Sequence, residues 1–130
     1  MELKILEQSF SVCKLADATE IDWSRPFCFV SKTDEELSLV CETSATPENT
    51  IARVDGWRGF RIQGVLDFSM VGVLAAISSL LAKNGISIFA ISTYNTDYLF
   101  TKEENFQSAV ALLTQEGYSV DKAFAFTSSK

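Results

Sequence analysis

Histidine is absent from this 130-residue chain. That excludes Ser-His-Asp and Cys-His nucleophile chemistry and removes the usual ligand of zinc and non-haem iron sites. Positive charge is scarce: 11 Lys and Arg stand against 17 Asp and Glu, a net charge of −6. The balance opposes binding to phosphate backbones or to an anionic membrane surface. Long apolar runs are missing too. The least charged stretch, residues 68–82 (FSMVGVLAAISSLLA), is bounded by Asp67 and Lys83 and falls short of the ~20 residues that cross a bilayer. The opening MELKILEQSF carries Glu2, Lys4 and Glu7 and lacks the apolar region of a signal peptide, so a cytoplasmic location is expected.

Cysteine occurs three times, at Cys13, Cys28 and Cys41, with no C-x-x-C. Each stands in an apolar run (FSVCKL, FCFV, LSLVCE), and the three read as small buried hydrophobes in a reducing compartment, with a redox pair as the alternative. What the chain does have is apolar mass: 47% of its residues. A chain of this length buries roughly two thirds of its unfolded surface, so no metal or cofactor is expected to be needed.

Strand patterns come early, at residues 9–15, 27–31 and 37–42, the last two joined by the polar KTDEE. Between the first two, ADATEIDWSRP predicts a short helix stopped by Pro26. PENTIARVDG, from Pro47 to Gly56, predicts another single helical turn. Beyond Trp57 the pattern sharpens. Residues 58–65 (RGFRIQGV) read as a strand. Met70, Val73, Leu74, Ile77, Leu80 and Leu81 then form the stripe of a helix over 70–84, with Gly85 as its stop. Residues 86–93 (ISIFAIST) form an apolar strand, 94–97 a turn and 98–101 a return strand. Thr101 and Glu104 have capping-box spacing for a second helix that buries Phe106, Val110 and Leu113 and ends at Gly117. Residues 118–126 supply the last strand.

The order from residue 57 onward is β-α-β-β-α-β, the ferredoxin-like arrangement. The halves echo each other at an offset of 61 residues: Phe29-Val30-Ser31 with Leu37-Ser38-Leu39 lies over Ala90-Ile91-Ser92 with Tyr98-Leu99-Phe100. An α+β fold follows, with an abbreviated unit over 1–56 and a full unit over 57–130.

Because a βαβ crossover is right-handed, the strands ending near Val65 and Thr93 finish on the same sheet edge. That edge gathers Asp67 and Ser69 from one loop, Ser92, Thr93, Asn95, Thr96 and Asp97 from the other, and the free amides of a helix start, with Gly72 allowing close approach. Helix amides suit a carboxylate and two Asp side chains suit an ammonium, which together are the demands of a free α-amino acid. The competing reading makes Asp67 or Ser69 a helix cap, Asn95 and Asp97 turn residues, and Gly72 a packing glycine.

Asp67, Gly72, Val73, Leu74, Ile77, Leu81, Asn84-Gly85-Ile86 and Ile88 resemble the signature of ACT domains, small ligand-binding regulatory modules of amino-acid metabolism. GVLDFSMVGVL followed by ISIFAISTYNTDY is similar to small bacterial proteins with paired ACT units, relatives of the CASTOR-type arginine sensors. The resemblance implies a ligand site at Asp67, Phe68, Ser69, Gly72, Val73 and Leu74, faced by Ser92, Thr93, Asn95, Thr96 and Asp97. Val71 stands where many ACT domains have proline, and residues 16–24 (ADATEIDWS) show no equivalent glycine loop. The leading expectation is a regulatory protein that binds a free amino acid, forms a homodimer and acts on a partner protein or through assembly. The alternative is an interaction module; no enzyme activity is expected.

Overall fold

The computed structural model describes residues 1–63 and 72–120. Among these the elements run β1 (Glu2–Ile5), β2 (Phe10–Leu15), β3 (Cys28–Lys32), β4 (Leu37–Glu42), a 3-10 turn (Thr43–Ala45), β5 (Thr50–Ile62), α1 (Val73–Lys83), β6 (Ile88–Ser92), β7 (Asp97–Lys102), α2 (Glu103–Gln115) and β8 (Ser119–Val120). The fold is α+β and ferredoxin-like. It divides into two compact units, one of Gln8–Trp57 and one of Met1–Glu7 with Arg58–Lys130.

The smaller unit orders its strands β3-β4-β2-β5, with each neighbouring pair antiparallel. This is the ferredoxin-like order with the helices left out. Residues 16–27 form turns and bends in place of the predicted helix. Asp17 accepts the Thr19 amide and Asp22 the Ser24 amide, each at 3.0 Å, so short polar side chains satisfy the backbone locally where a helix would have used its own carbonyls. Only Ile21 from this segment joins the core of Cys13, Leu15, Leu39 and Cys41.

The helical turn predicted from Pro47 is also replaced, by the first part of β5. Val12, Cys13 and Lys14 pair with Val54, Arg53 and Ala52. β2 would otherwise have an unpaired flank, and satisfying it outweighs the weak local helix signal. Phe10 opposite Trp57 leaves one extra residue on β5, a bulge at Asp55–Gly56.

The larger unit has the order β6-β7-β5-β1-β8. Thr96 reaches Ile62 on β5, and Gly59 lies against Leu99 and Phe100; advancing three residues on β5 retreats three on β7, so the pair is antiparallel. With β6 antiparallel to β7, β5 and β6 run parallel on either side of it, a split βαβ unit. The opening strand was not foreseen. Leu3 and Ile5 are buried while Glu2 and Lys4 are exposed, and Leu3 and Ile5 pair with Ile62 and Phe60. Met1–Glu7 therefore packs with the unit that resumes at Arg58, where the sequence placed it in the abbreviated unit.

Both helices lie on one core. Ile77 and Leu81 of α1 and Phe106, Ala109 and Leu113 of α2 join Leu3, Ile5, Phe60, Ile62 and Leu99. Each fully buried aliphatic side chain contributes about 1.5–3 kcal/mol. The two helices stop alike: the Ile86 and Gly85 amides donate to Leu81 and Ala82, and those of Tyr118 and Gly117 to Leu113 and Thr114, at 3.0–3.1 Å, the paired bonds of a Schellman motif. The predicted capping box at α2 does not form. Thr101 lies within β7 opposite Ile88, its buried hydroxyl donates to the Lys102 carbonyl at 3.1 Å, and the N-cap falls to Lys102.

On the opposite face of this sheet the Phe100 ring stacks on Phe89 with centroids 4.8 Å apart. A Cβ on Gly59 would stand 2.7 Å from two Phe100 ring carbons and 3.2 Å from the Leu99 carbonyl. Neither neighbour has room to yield, since Phe100 has no exposed surface. Gly59→Ala is expected to cost about 1–3 kcal/mol, the usual range for overpacking, read as a lower urea midpoint with an unchanged slope.

Candidate functional site

The first turn of α1 is Val73-Leu74-Ala75-Ala76, with no acidic residue. α2 opens on Glu103 and Glu104. The positive end of one helix dipole is thus met by its own side chains, while that of the other is not. The N-cap of α1 is Gly72, at φ 92°. A Cβ at Gly72 would meet nothing within 4 Å, so the glycine answers the left-handed backbone and not close packing. The first intrahelical bond runs from the Ala76 amide to the Gly72 carbonyl at 2.8 Å, which leaves the amides of Val73, Leu74 and Ala75 without acceptors inside the helix. The side chains of Val73 and Leu74 pack on the core; what these two residues offer upward is backbone N–H.

The β6–β7 turn provides the second group. Ser92 and Asp97 face each other across the hairpin, and the Ser92 hydroxyl donates to the Asp97 carboxylate at 2.5 Å. Asp97 shares a face with Leu99, two residues on, which lies in the core beneath the helices. Its carboxylate therefore projects on the helix-covered side. Thr96 is buried, and its hydroxyl donates to the Ile62 carbonyl at 2.7 Å. This bond fixes the turn beside the end of β5, from which ten residues lead to Gly72. Asn95 and Tyr94 are exposed, Tyr94 at 85%; an exposed aromatic at a turn tip has no periodicity to announce it, and the sequence reading passed it over.

Part of this turn is scaffold. The Thr93 amide and hydroxyl both donate to the Thr96 carbonyl, at 2.9 and 3.0 Å, and the Thr96 amide donates to the Thr93 hydroxyl at 3.4 Å. The β3–β4 turn repeats the same three bonds between Thr33 and Glu36. With Lys32 opposite Leu37 where Ser92 stands opposite Asp97, the structural repeat has an offset of 60 residues, one less than the sequence echo. The Ser92–Asp97 pair and the Thr96 tether are features of the second hairpin that the first does not repeat.

Asp67, Phe68 and Ser69 lie outside the described residues. A groove of about 510 Å³ lined by Ser78, Ser79, Ala82 and residues 85–88 sits toward the other end of α1. Among the described residues no cluster of His, Cys, Asp or Glu is suited to a metal ion, and no helix is long and apolar enough to cross a membrane.

Comparison with known proteins bears on the family directly. The family model for the ACT domain matches residues 52–115. Protein Atu0741 of Agobacterium tumefaciens is 31% identical, with a TM-score of 0.81 over 92% of this chain and 91% of that one. The chain belongs to the ACT domain family. Two other solved structures share the fold at lower identity. Protein VC0802 of Vibrio cholerae, described as of unknown function and a possible transport protein, is 23% identical with a TM-score of 0.68 over 88% of each chain. The regulatory subunit of aspartate kinase from Thermus thermophilus, in its ligand-free form, is 11% identical with a TM-score of 0.58 over 88% of this chain and 97% of that one. A search of curated proteins gave no match.

The Thr96 tether separates a structural from a ligand-binding role. Thr96→Val removes the donor and leaves the Ile62 carbonyl buried without its partner, which is expected to cost about 1–3 kcal/mol. Thr96→Ser keeps the hydroxyl and most of the stability. Urea unfolding of both variants in buffer without added ligand measures the difference.

Proposed function

We propose that this ACT domain protein is regulatory and senses a free amino acid at the edge shared by the α1 N-terminus and the β6–β7 turn. The observation that carries the reading is the first turn of α1: uncharged, glycine-capped and presenting three amides with no intrahelical acceptor. It suits the α-carboxylate. Asp97, together with Asp67, receives the ammonium, and Ser92 orients the Asp97 carboxylate. The remaining lining falls to the backbone of Val73 and Leu74 and to Phe68, Ser69, Thr93 and Asn95, while Thr96 holds the turn. The fold shared with an aspartate kinase regulatory subunit supports a regulatory role, and the output passes to a partner protein or through assembly.

The test is a thermal-shift screen of the twenty amino acids. A ligand at 100 times its Kd stabilises the protein by about 2.7 kcal/mol, a rise on the order of 10 °C in Tm for a chain of this size. Asp97→Asn and Asp67→Asn are each expected to weaken binding by about tenfold or more, the effect of losing a hydrogen bond to a charged group. Both variants should melt normally without ligand. If no amino acid at millimolar concentration shifts the melting, the sensing reading fails and the chain is better read as an interaction module.

A homodimer belongs to the same proposal. Among the described residues β6 pairs only with β7, which makes it the outer strand of that sheet among them. It carries Ile88, Phe89 and Ile91, and the groove that reaches Ile88 is flanked by the small side chains of Ser78, Ser79 and Ala82. Sedimentation at micromolar concentration is expected to give twice the 14.4 kDa chain mass; a single-chain mass with and without ligand would refute it.

A further inference from the structure

Lys4 and Arg61 lie directly opposite each other where β1 pairs with β5. Like charges in that position repel and weaken a ladder, and the chain has 17 acidic residues against 11 basic ones from which to supply a neutralising partner. Among the described residues neither cation forms an ion pair, whereas Arg25 meets Asp22 and Glu42 and Arg53 meets Asp55. What Arg61 touches is neutral: its Nε donates to Gln63 Oε1 at 3.1 Å and its Nη1 to the Tyr98 hydroxyl at 3.4 Å. The Gln63 amide donates to the Glu2 carbonyl at 2.9 Å, which carries the ladder one step further and sets Glu2 opposite Gln63. Leu3, Ile5, Phe60 and Ile62 belong to the core with the helices, so by the alternation of a strand Glu2, Lys4, Arg61 and Gln63 share the other face. A cavity of about 190 Å³ is lined by Glu2, Leu3, Lys4 and Gln63.

We propose that this cavity binds inorganic phosphate. It is smaller than the roughly 300–1,000 Å³ of pockets that enclose drug-sized ligands, and it suits a compact ion. Lys4 supplies an ammonium. Arg61 acts through Gln63: by donating to Oε1 it turns the amide oxygen toward itself and leaves the amide nitrogen, with its two donors, for the ligand. It also adds a second positive charge, and an anion placed by the pair relieves their repulsion. Glu2 selects among oxyanions. Its carboxylate only accepts hydrogen bonds, so it takes the proton-bearing oxygen of hydrogenphosphate and repels sulfate, which carries no proton at pH 7. Specificity of this kind comes from an unfavourable contact with the competitor. The net charge of −6 opposes a polyanion, which needs many cations along its length, and not one small ion beside two of them.

The test is thermal melting of the whole chain titrated with phosphate and, separately, with sulfate, at pH 7 and constant ionic strength, with equilibrium dialysis of labelled phosphate to give the stoichiometry. Both ions stabilise proteins weakly by exclusion from the surface, but that effect does not saturate. The expected result is a saturable rise in Tm, one phosphate per chain, and sulfate at least tenfold weaker. Lys4→Met should abolish the phosphate response. Without phosphate it should melt no lower than the unmodified protein, because the like-charge contact is gone; a lysine with a merely structural role would lower the melting instead. Arg61→Lys keeps the charge but not the same hold on Gln63, and should weaken phosphate severalfold. Glu2→Gln should narrow the gap between the two ions. Glu2 and Lys4 are exposed, and circular dichroism confirms that the variants fold. No saturable phosphate binding, equal affinity for phosphate and sulfate in the unmodified protein, or full phosphate binding by Lys4→Met would each overturn the proposal.

Discussion

Thirteen consecutive residues of β5 have to satisfy backbone donors and acceptors against three other strands, and much of the topology follows from that requirement. Residues 50–57 pair with β2 in the smaller unit. Residues 60–62 pair with β1 in the larger one, whose β7 lies along the other flank. Unpaired buried N–H and C=O groups cost as much as lost hydrogen bonds. A strand with so many committed groups fixes its neighbours more firmly than any single side chain. Gly59 shows the consequence in miniature: the β7 backbone and the Phe100 ring approach so closely that a methyl group has no place.

Much of the larger unit was legible because its signals are periodic. The α1 stripe reappears as buried Ile77 and Leu81 with Val73, Leu74 and Leu80 packed beside them. Gly85 and Gly117 fall where the helices end. The failures share a cause. Pro47 to Gly56 lacks a strong period and took its conformation from β2. Glu2–Ile5 alternates correctly but is so short that its strand identity comes from β5. Thr101 and Glu104 have capping-box spacing, but spacing cannot reveal that Thr101 is already held in a β-ladder. Local preference loses in each case to a tertiary hydrogen-bond partner.

The candidate site was legible in a different measure. Ser92, Asp97 and Gly72 were singled out from residue type and crossover geometry, and the structure gives each a definite role in the framework. Asp67, Phe68 and Ser69 fall outside the described residues, so that half of the site stands as read from the sequence. Thr96 was grouped with the ligand residues because a threonine in a polar turn looks available. Its hydroxyl is buried and committed to Ile62. Nothing in the turn's own sequence points to an acceptor 34 residues away.

The two hairpins together offer a way to tell scaffold from specialisation. Where a unit is repeated, whatever both copies share is explained by folding alone. The Thr33–Glu36 and Thr93–Thr96 bonds are shared and carry no ligand argument. The positions of Ser92 and Asp97 are held in the first hairpin by Lys32 and Leu37, which cannot form that pair, and the first crossover has no helix to aim amides at it. The hydroxyl–carboxylate pair and the glycine-capped helix start thus occur together in one copy and are absent together from the described residues of the other. Folding the hairpin requires neither of them, since the smaller unit builds the same turn without them. Their joint presence in the larger unit is what favours the proposed site there over the corresponding turn of the smaller unit.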